Sequence, residues 1–323
     1  MKKSNIFSED FIINNFLKKL HFNKKEAYDF NNDAGFINFN TKKQLIVTND
    51  TIIESIDFFK NDPPESIAIK IVNCNLSDVS AMGALPYAYT LSLCLPKNVN
   101  YNWLTRFTKK LKFLQKKYNF FLVGGDLSKS NKIIISSNFF GYVNSGKILK
   151  RTGARINDDI WITGDLGEST IGLMIKQKKI KINTLDKKYF LKKYLFPNHC
   201  SFGEKISKYA SSAIDISDGF YGDLNKMLNN NFGAILNFKS IPISKNLKKM
   251  INNNFVKLEE VLNWGDDYQL IFTSHSKFEK NIIKIAKEKK VKITKIGRIT
   301  NKPGIYTDSL KLINSYRYYD HFA

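Results

Sequence analysis

Six short stretches of this chain place aspartate at the end of an apolar run or beside glycine, in company with serine, threonine and asparagine. They are Asn31-Asn32-Asp33-Ala34-Gly35, Val47-Thr48-Asn49-Asp50-Thr51, Asn75-Leu76-Ser77-Asp78, Val123-Gly124-Gly125-Asp126, Ile214-Asp215-Ile216-Ser217-Asp218-Gly219 and Gly265-Asp266-Asp267-Tyr268. A carboxylate at a strand end, flanked by small residues, projects into a crevice where hard cations bind and where backbone N–H groups approach phosphate closely. The combination points to magnesium and a nucleotide.

Taken singly, each stretch also has a plainer reading. Gly124-Gly125-Asp126 after an apolar strand suits a sharp turn against a ligand, and equally an ordinary loop. Ser77 and Asp78, or Ser217 and Asp218 ahead of a helix starting near Phe220, serve as well for helix caps or polar turns. The chain contains neither the Gly-x4-Gly-Lys-Ser/Thr phosphate loop nor the Gly-x-Gly-x-x-Gly dinucleotide fingerprint.

The elements that must position these residues follow from apolar periodicity. Leu45–Asn49 reads as a strand, Ser66–Met82 as a helix, Tyr87–Leu95 as a strand and Trp103–Tyr118 as a helix. Two further strands, Phe120–Val123 and Ile133–Val143, complete a β-α-β-α-β-β mixed-sheet unit. Turn chemistry at Ser145-Gly146-Lys147 and Arg151-Thr152-Gly153-Ala154 sets the boundary between two domains, 1–144 and 145–323. The second reads as α/β. Strands are expected at Ile160–Thr163, Ala213–Ile216, Ala234–Phe238, Tyr268–Thr273 and Ile293–Ile299. Helices are expected at 169–177, 186–195, 202–211, 220–228 and 277–290.

At 323 residues the chain suits two domains of ordinary size, and 43% hydrophobic with 25% charged residues is the balance of a soluble globular protein. The net charge of +22 raises nucleic acid or a membrane surface as partners, but the lysines are spread along the chain and no basic arm stands out. Neither partner is expected. Cys74, Cys94 and Cys200 are odd in number, far apart and without a Cys-x-x-Cys pair, which fits a reducing cytoplasm. Ser8-Glu9-Asp10 and Asn14-Asn15 interrupt the apolar region that a cleaved leader requires. The uncharged stretch 79–96 is broken by Gly83 and Pro86 and reads as a helix end, a turn and a buried strand.

In order and wording, the six motifs together resemble the thiamine-monophosphate kinases, of the wider aminoimidazole ribonucleotide synthetase-like group of ATP-using enzymes. Arg151-Thr152-Gly153-Ala154, Ile162-Thr163-Gly164-Asp165-Leu166-Gly167 and the terminal Tyr319-Asp320-His321-Phe322 extend the match. Only about the first thirty residues carry none of it. The resemblance implies two α/β (α+β) domains, a homodimer, and a nucleotide lying between domains or subunits. The activity it implies is direct transfer of the ATP γ-phosphoryl group to thiamine monophosphate, with several Mg²⁺ ions. By the same resemblance Asp33, Thr48, Asn49, Asp50, Asp78, Asp126, Asp215 and Asp218 form the metal shell, while Gly125, Asp126, Arg151 and Ser217 contact ATP.

The acceptor pocket departs from the family pattern. Asp57 stands where the family commonly has a substrate-contacting histidine, and Trp264-Gly265-Asp266-Asp267-Tyr268-Gln269 replaces Gly-Gly-Glu-Asp-Tyr-Glu. Asp57, Asp266 and the aromatic Tyr316 are therefore the residues the resemblance assigns to substrate. A sister ATP-dependent synthetase is the alternative within the fold, because a fold does not fix chemistry. A basic nucleic-acid-binding protein is the alternative outside it.

Overall fold

The computed structural model describes residues 8–30, 34–37, 42–313 and 319. It divides the chain into two compact units, 1–79 with 85–145, and 80–84 with 146–323. Asp33, Tyr316, Asp320, His321 and Phe322 lie outside the described residues.

In the first unit a short helix α1 (Glu9–Ile12) is followed by β1 (Lys43–Ile53), α2 (Pro64–Ala81), β2 (Leu85–Leu95), α3 (Tyr101–Tyr118), β3 (Phe121–Lys129) and β4 (Ile134–Asn144). From β1 onward this is the expected β-α-β-α-β-β order. The strands form one sheet in the order β1-β4-β2-β3, antiparallel except for the parallel pair β2/β3. Along β4, Ile135, Ser137, Phe139, Gly141 and Val143 are buried and the residues between them are not. One face of the sheet is therefore covered and the other open. Cover is supplied by α2, buried on nearly every side through Ile67, Ala68, Ile71, Val72, Leu76 and Val79, and by Leu104, Phe107 and Leu111 of α3. Asn100 caps the start of α3, and Asn119 ends it in the left-handed conformation at φ 57°.

The second unit contains β5 (Asp159–Thr163), α4 (Glu168–Lys176), α5 (Thr184–Leu195), α6 (Gly203–Ile206), β6 (Ala210–Asp215), α7 (Phe220–Leu228) and β7 (Gly233–Leu236). It continues with α8 (Lys245–Asn252), α9 (Leu258–Leu262), β8 (Leu270–Ser274), α10 (Glu279–Lys289), β9 (Ile293–Thr300) and β10 (Gly304–Thr307). Its sheet runs β10-β7-β9-β5-β8-β6. Alternate side chains of its central strands enter two cores. Ile160, Ile162 and Ile271 pack with Phe220 and Leu224 of α7, while Trp161 and Phe272 pack with Ile282 and Ala286 of α10. Both faces are thus buried. A third cluster, with Ile171, Phe190, Leu247 and Val261, joins α4, α5, α8 and α9.

Two local expectations change. The helix expected over 202–211 shrinks to α6, because from Ala210 the chain is taken up as a strand paired with β8. The Gly124-Gly125-Asp126 stretch is not a turn after a strand; β3 runs through it to Lys129. Gly125 sits beside Leu91 of β2, where a Cβ would lie 2.1 Å from the Leu91 carbonyl oxygen. The glycine serves close strand packing.

No helix among the described residues is long and apolar enough to cross a membrane. The segment 80–84, although it follows directly from α2, groups with the second unit. There Ser80 Oγ donates to the Cys200 carbonyl at 2.6 Å and accepts the Gly203 N–H at 3.2 Å.

Candidate functional site

The first unit gathers its acidic residues where β1 meets α2. Thr48 Oγ1 donates to Asp78 Oδ2 at 2.5 Å. Asp50 shares the Thr48 face of the strand. Its Oδ2 is buried and has no hydrogen-bond partner among the described residues. Burial, then the charges of Asp78 and Asp57, push the Asp50 carboxyl up from about 3.8 to about 7. Asp57 itself closes the turn after β1, its Oδ2 accepting the Ile53 N–H at 2.7 Å. This pocket gathers acidic side chains around an oxygen atom that has no hydrogen-bond partner among the described residues.

That environment fits a hard divalent cation, for which carboxylate and hydroxyl oxygens are the usual donors. The described residues contain no group of three or more His, Cys, Asp or Glu close enough to hold a metal on their own. A cation bound at Asp50 and Asp78 would therefore complete its coordination with water or ligand oxygens. Asn49 projects to the other face, where its Nδ2 donates to Asn138 Oδ1 at 2.9 Å and to the Ser137 carbonyl at 3.3 Å. Its side chain belongs to the β1/β4 ladder.

Across the sheet, Asp50, Ser137, Leu91 and Gly125 form a single row. Three strand spacings separate Asp50 from Gly125, about 14 Å. Asp126 lies in the next row with Thr51, Ser136 and Ser92 and is directed to the opposite face. Its Oδ2 accepts from Ser128 Oγ at 2.8 Å. Beside it opens a cleft of about 180 Å³, lined by Leu17, Phe30, Leu91, Val123 and Gly124, with Glu9 among its polar groups. Apolar side chains and two carboxylates, Glu9 and Asp126, thus share its lining.

The second unit builds its cluster at the end of β6. Asp215, the last residue of that strand, is buried. Ser217, Asp218 and Gly219 then all donate their backbone N–H groups to Asp223 Oδ2, at 3.0, 3.0 and 3.2 Å. Asp223 lies in α7 and is only 1% exposed. Burial raises its carboxyl, opposed by Lys226, whose Nζ donates to Asp223 Oδ1 at 2.8 Å and to Asp218 Oδ2 at 2.5 Å. The loop is clamped by one carboxylate and one ammonium group. Arg151 is exposed on the stretch preceding Gly153, where a Cβ would come within 2.1 Å of the Ser211 carbonyl oxygen.

The segment 264–268 lies along this loop. Asp266 N–H donates to the Ser217 carbonyl at 3.1 Å and Tyr268 N–H to that of Ile216 at 3.0 Å. Asp266 has φ 64° and its Oδ1 accepts from Tyr268 Oη at 2.6 Å. Asp267 turns away and accepts the Gly167 N–H at 2.8 Å, at the start of α4. Tyr319 N–H donates to the Asp218 carbonyl at 3.0 Å. The sequence reading passed over Asp223 and Lys226; the available signal was an aspartate inside the apolar run 220–228, one turn from a Ser-Asp-Gly loop.

Comparison with known proteins places the chain in a family by sequence and by fold. The family model for AIR synthase related protein, N-terminal domain, covers residues 31–143. The thiamine-monophosphate kinase of Buchnera aphidicola subsp. Schizaphis graminum (strain Sg) is 39% identical over 285 residues, 86% of each chain. The crystal structure of thiamine-monophosphate kinase from Stenotrophomonas maltophilia K279a superposes with a TM-score of 0.84 at 26% identity, covering 94% of this chain and 98% of that one. AaThiL complexed with AMPPCP and TMP gives a TM-score of 0.77 at 28% identity, covering 90% of this chain and 91% of that one. With this identity sustained over most of its length, the chain belongs to the thiamine-monophosphate kinase family.

Proposed function

We propose that this protein transfers the γ-phosphoryl group of ATP to thiamine monophosphate, giving thiamine diphosphate and ADP. The observation that carries the reading is the buried Oδ2 of Asp50, without a hydrogen-bond partner among the described residues, close to Asp78 and Thr48 in a chain that matches this family over most of its length. ATP and a phosphate-bearing acceptor are both anionic, and their approach needs neutralisation. Asp50 and Asp78 would hold Mg²⁺, which would supply it by screening the phosphate oxygens and the charge of the transferring group. The acceptor phosphate, with a second pKa of about 6, is already largely ionised at neutral pH. No general base is required, and positioning with electrostatics accounts for the catalysis.

In this reading Asp33, Thr48, Asn49, Asp50, Asp78, Asp126, Asp215 and Asp218 are the metal-shell positions, with Asn49 limited to its main chain by the direction of its side chain. Gly125, Asp126, Arg151 and Ser217 contact ATP, the Arg151 guanidinium being suited to paired phosphate oxygens. Asp57, Asp266 and Tyr316 face the acceptor. Residues 1–144 carry ATP, metal and dimerisation; 145–323 complete the nucleotide and substrate sites. The protein acts as a homodimer in the cytoplasm. Support for the dimer comes from the open face of the first sheet, where Val47 is 58% exposed and pairs with Phe140.

The test incubates the purified chain with ATP, Mg²⁺ and thiamine monophosphate and resolves products by chromatography, with and without chelator. Equal, Mg²⁺-dependent formation of thiamine diphosphate and ADP is expected. Tight Mg-ATP binding without thiamine diphosphate would overturn the acceptor and favour a sister synthetase.

A further inference from the structure

We propose that Trp264 is a specificity-determining residue of the acceptor site, forming with Tyr319 an aromatic face beside Asp218 that takes a cationic heteroaromatic ring. This rests on the phosphoryl-acceptor reading above. The placement is fixed by main-chain contacts. Gly265 lies so close to the Asp218 loop that a Cβ there would meet the Ser217 carbonyl oxygen at 1.4 Å, and the Asp266 N–H bonds to that same oxygen. Trp264 therefore stands at the edge of the loop with little backbone freedom.

Tyr319 arrives from the other end of the chain and is tied to the same loop through the Asp218 carbonyl. The two rings lie 6.0 Å apart at 42°. Trp264 remains 37% exposed, an indole kept partly in water next to a carboxylate cluster rather than driven into the core. Aromatic faces attract cations, and indole most strongly, so a positively charged ring gains by stacking on Trp264. A flat aromatic surface at this edge discriminates for a cationic planar acceptor over a neutral one of the same size.

The experiment uses the full chain and two readouts. In steady-state kinetics Trp264→Ala should raise KM for thiamine monophosphate about 10-fold. Trp264→Phe should stay within about threefold, and KM for ATP should be unchanged in both. In fluorescence, thiamine monophosphate added without ATP should quench the wild-type emission, and the quench should vanish in Trp264→Phe, which leaves Trp103 and Trp161 in place. Product formation with an unchanged KM in Trp264→Ala, or a quench that survives in Trp264→Phe, overturns the assignment of Trp264 alone. Absence of thiamine diphosphate from the wild-type chain overturns the reaction on which it rests.

Discussion

Asp50 and Asp223 solve the same problem in opposite ways. Each places a carboxylate where water is scarce, one in the first unit and one in the second. Asp50 is left with a buried oxygen that has no partner among the described residues and with two further aspartates for neighbours. Asp223 is surrounded by three backbone N–H groups and a lysine ammonium group. An unsatisfied buried charge is costly, and a saturated one organises its surroundings. The first unit thus holds a buried carboxyl raised by its acidic neighbours, while the second pairs its buried carboxylate with a lysine ammonium group.

The sharpest way to break this comparison is Asp50→Asn. Turnover should fall by roughly 10²–10³-fold, as when a key electrostatic group is removed, with the circular dichroism spectrum intact. Near-normal activity at saturating Mg²⁺ would remove Asp50 from the metal site. The same variant tests the charge balance without metal. A carboxyl raised from 3.8 to about 7 binds its proton more tightly in the folded chain, so its contribution is fully present below pH 4 and is lost as pH rises toward and through 7. In chelator, Asp50→Asn should therefore melt about 5 °C above the wild type at pH 8, with no gain at pH 4. Equal melting curves at both pH values would contradict the burial argument.

Asp223→Ala should act on folding rather than chemistry first. It strands three N–H groups and leaves Lys226 with Asp218 as its partner, a loss of about 3–5 kcal/mol measurable by denaturant unfolding, while Asp223→Asn, which keeps an acceptor, should lose less. Lys226→Met is expected to be milder, about 1–2 kcal/mol in chelator, because Asp218 is partly exposed and the buried Asp223 keeps its three N–H donors. Its informative readout is the stabilisation by Mg²⁺, which should grow once the tethered cation is gone. An unchanged Mg²⁺ shift would mean that Asp218 and Lys226 form an ordinary ion pair. The smallest effect is expected from Asn49→Ala, about 0.5 kcal/mol from the lost cross-strand contacts and less than about threefold in kcat.

Part of this arrangement was legible in the residues, although of the aspartates expected at strand ends Asp215 ends β6, while Asp50 lies within β1 and Asp78 within α2. Asp50, Asp78, Asp215 and Asp218 could be found from their glycine, serine and threonine neighbours, and the first unit from its apolar periodicity. Asn49 shows what motif spelling alone does not convey. In an extended strand, adjacent residues face opposite ways, so the period that marked Leu45–Asn49 as a strand also separates Asn49 from Asp50. Gly125 could not be read correctly from local signals: a Gly-Gly pair spells a turn until the register with Leu91 is known. The helix assigned to 202–211 failed for a similar reason, since pairing with β8 overrides local preference. Asp223 and Lys226 were hidden by their own helix, where a buried aspartate looks like a surface residue until the loop it clamps is in view.

The short segment 80–84 limits how this protein can be taken apart. A cut at residue 145 looks natural from the turn chemistry around it, yet a fragment ending there would carry Ser80 without Cys200 and Gly203, and the Met82 carbonyl without the Leu149 N–H that bonds it at 3.1 Å. The complementary fragment would begin with an unfilled slot where those five residues belong. Neither piece is a self-sufficient module for expression, swapping or split-reporter designs. The second half would need five residues carried by the first to finish its own fold.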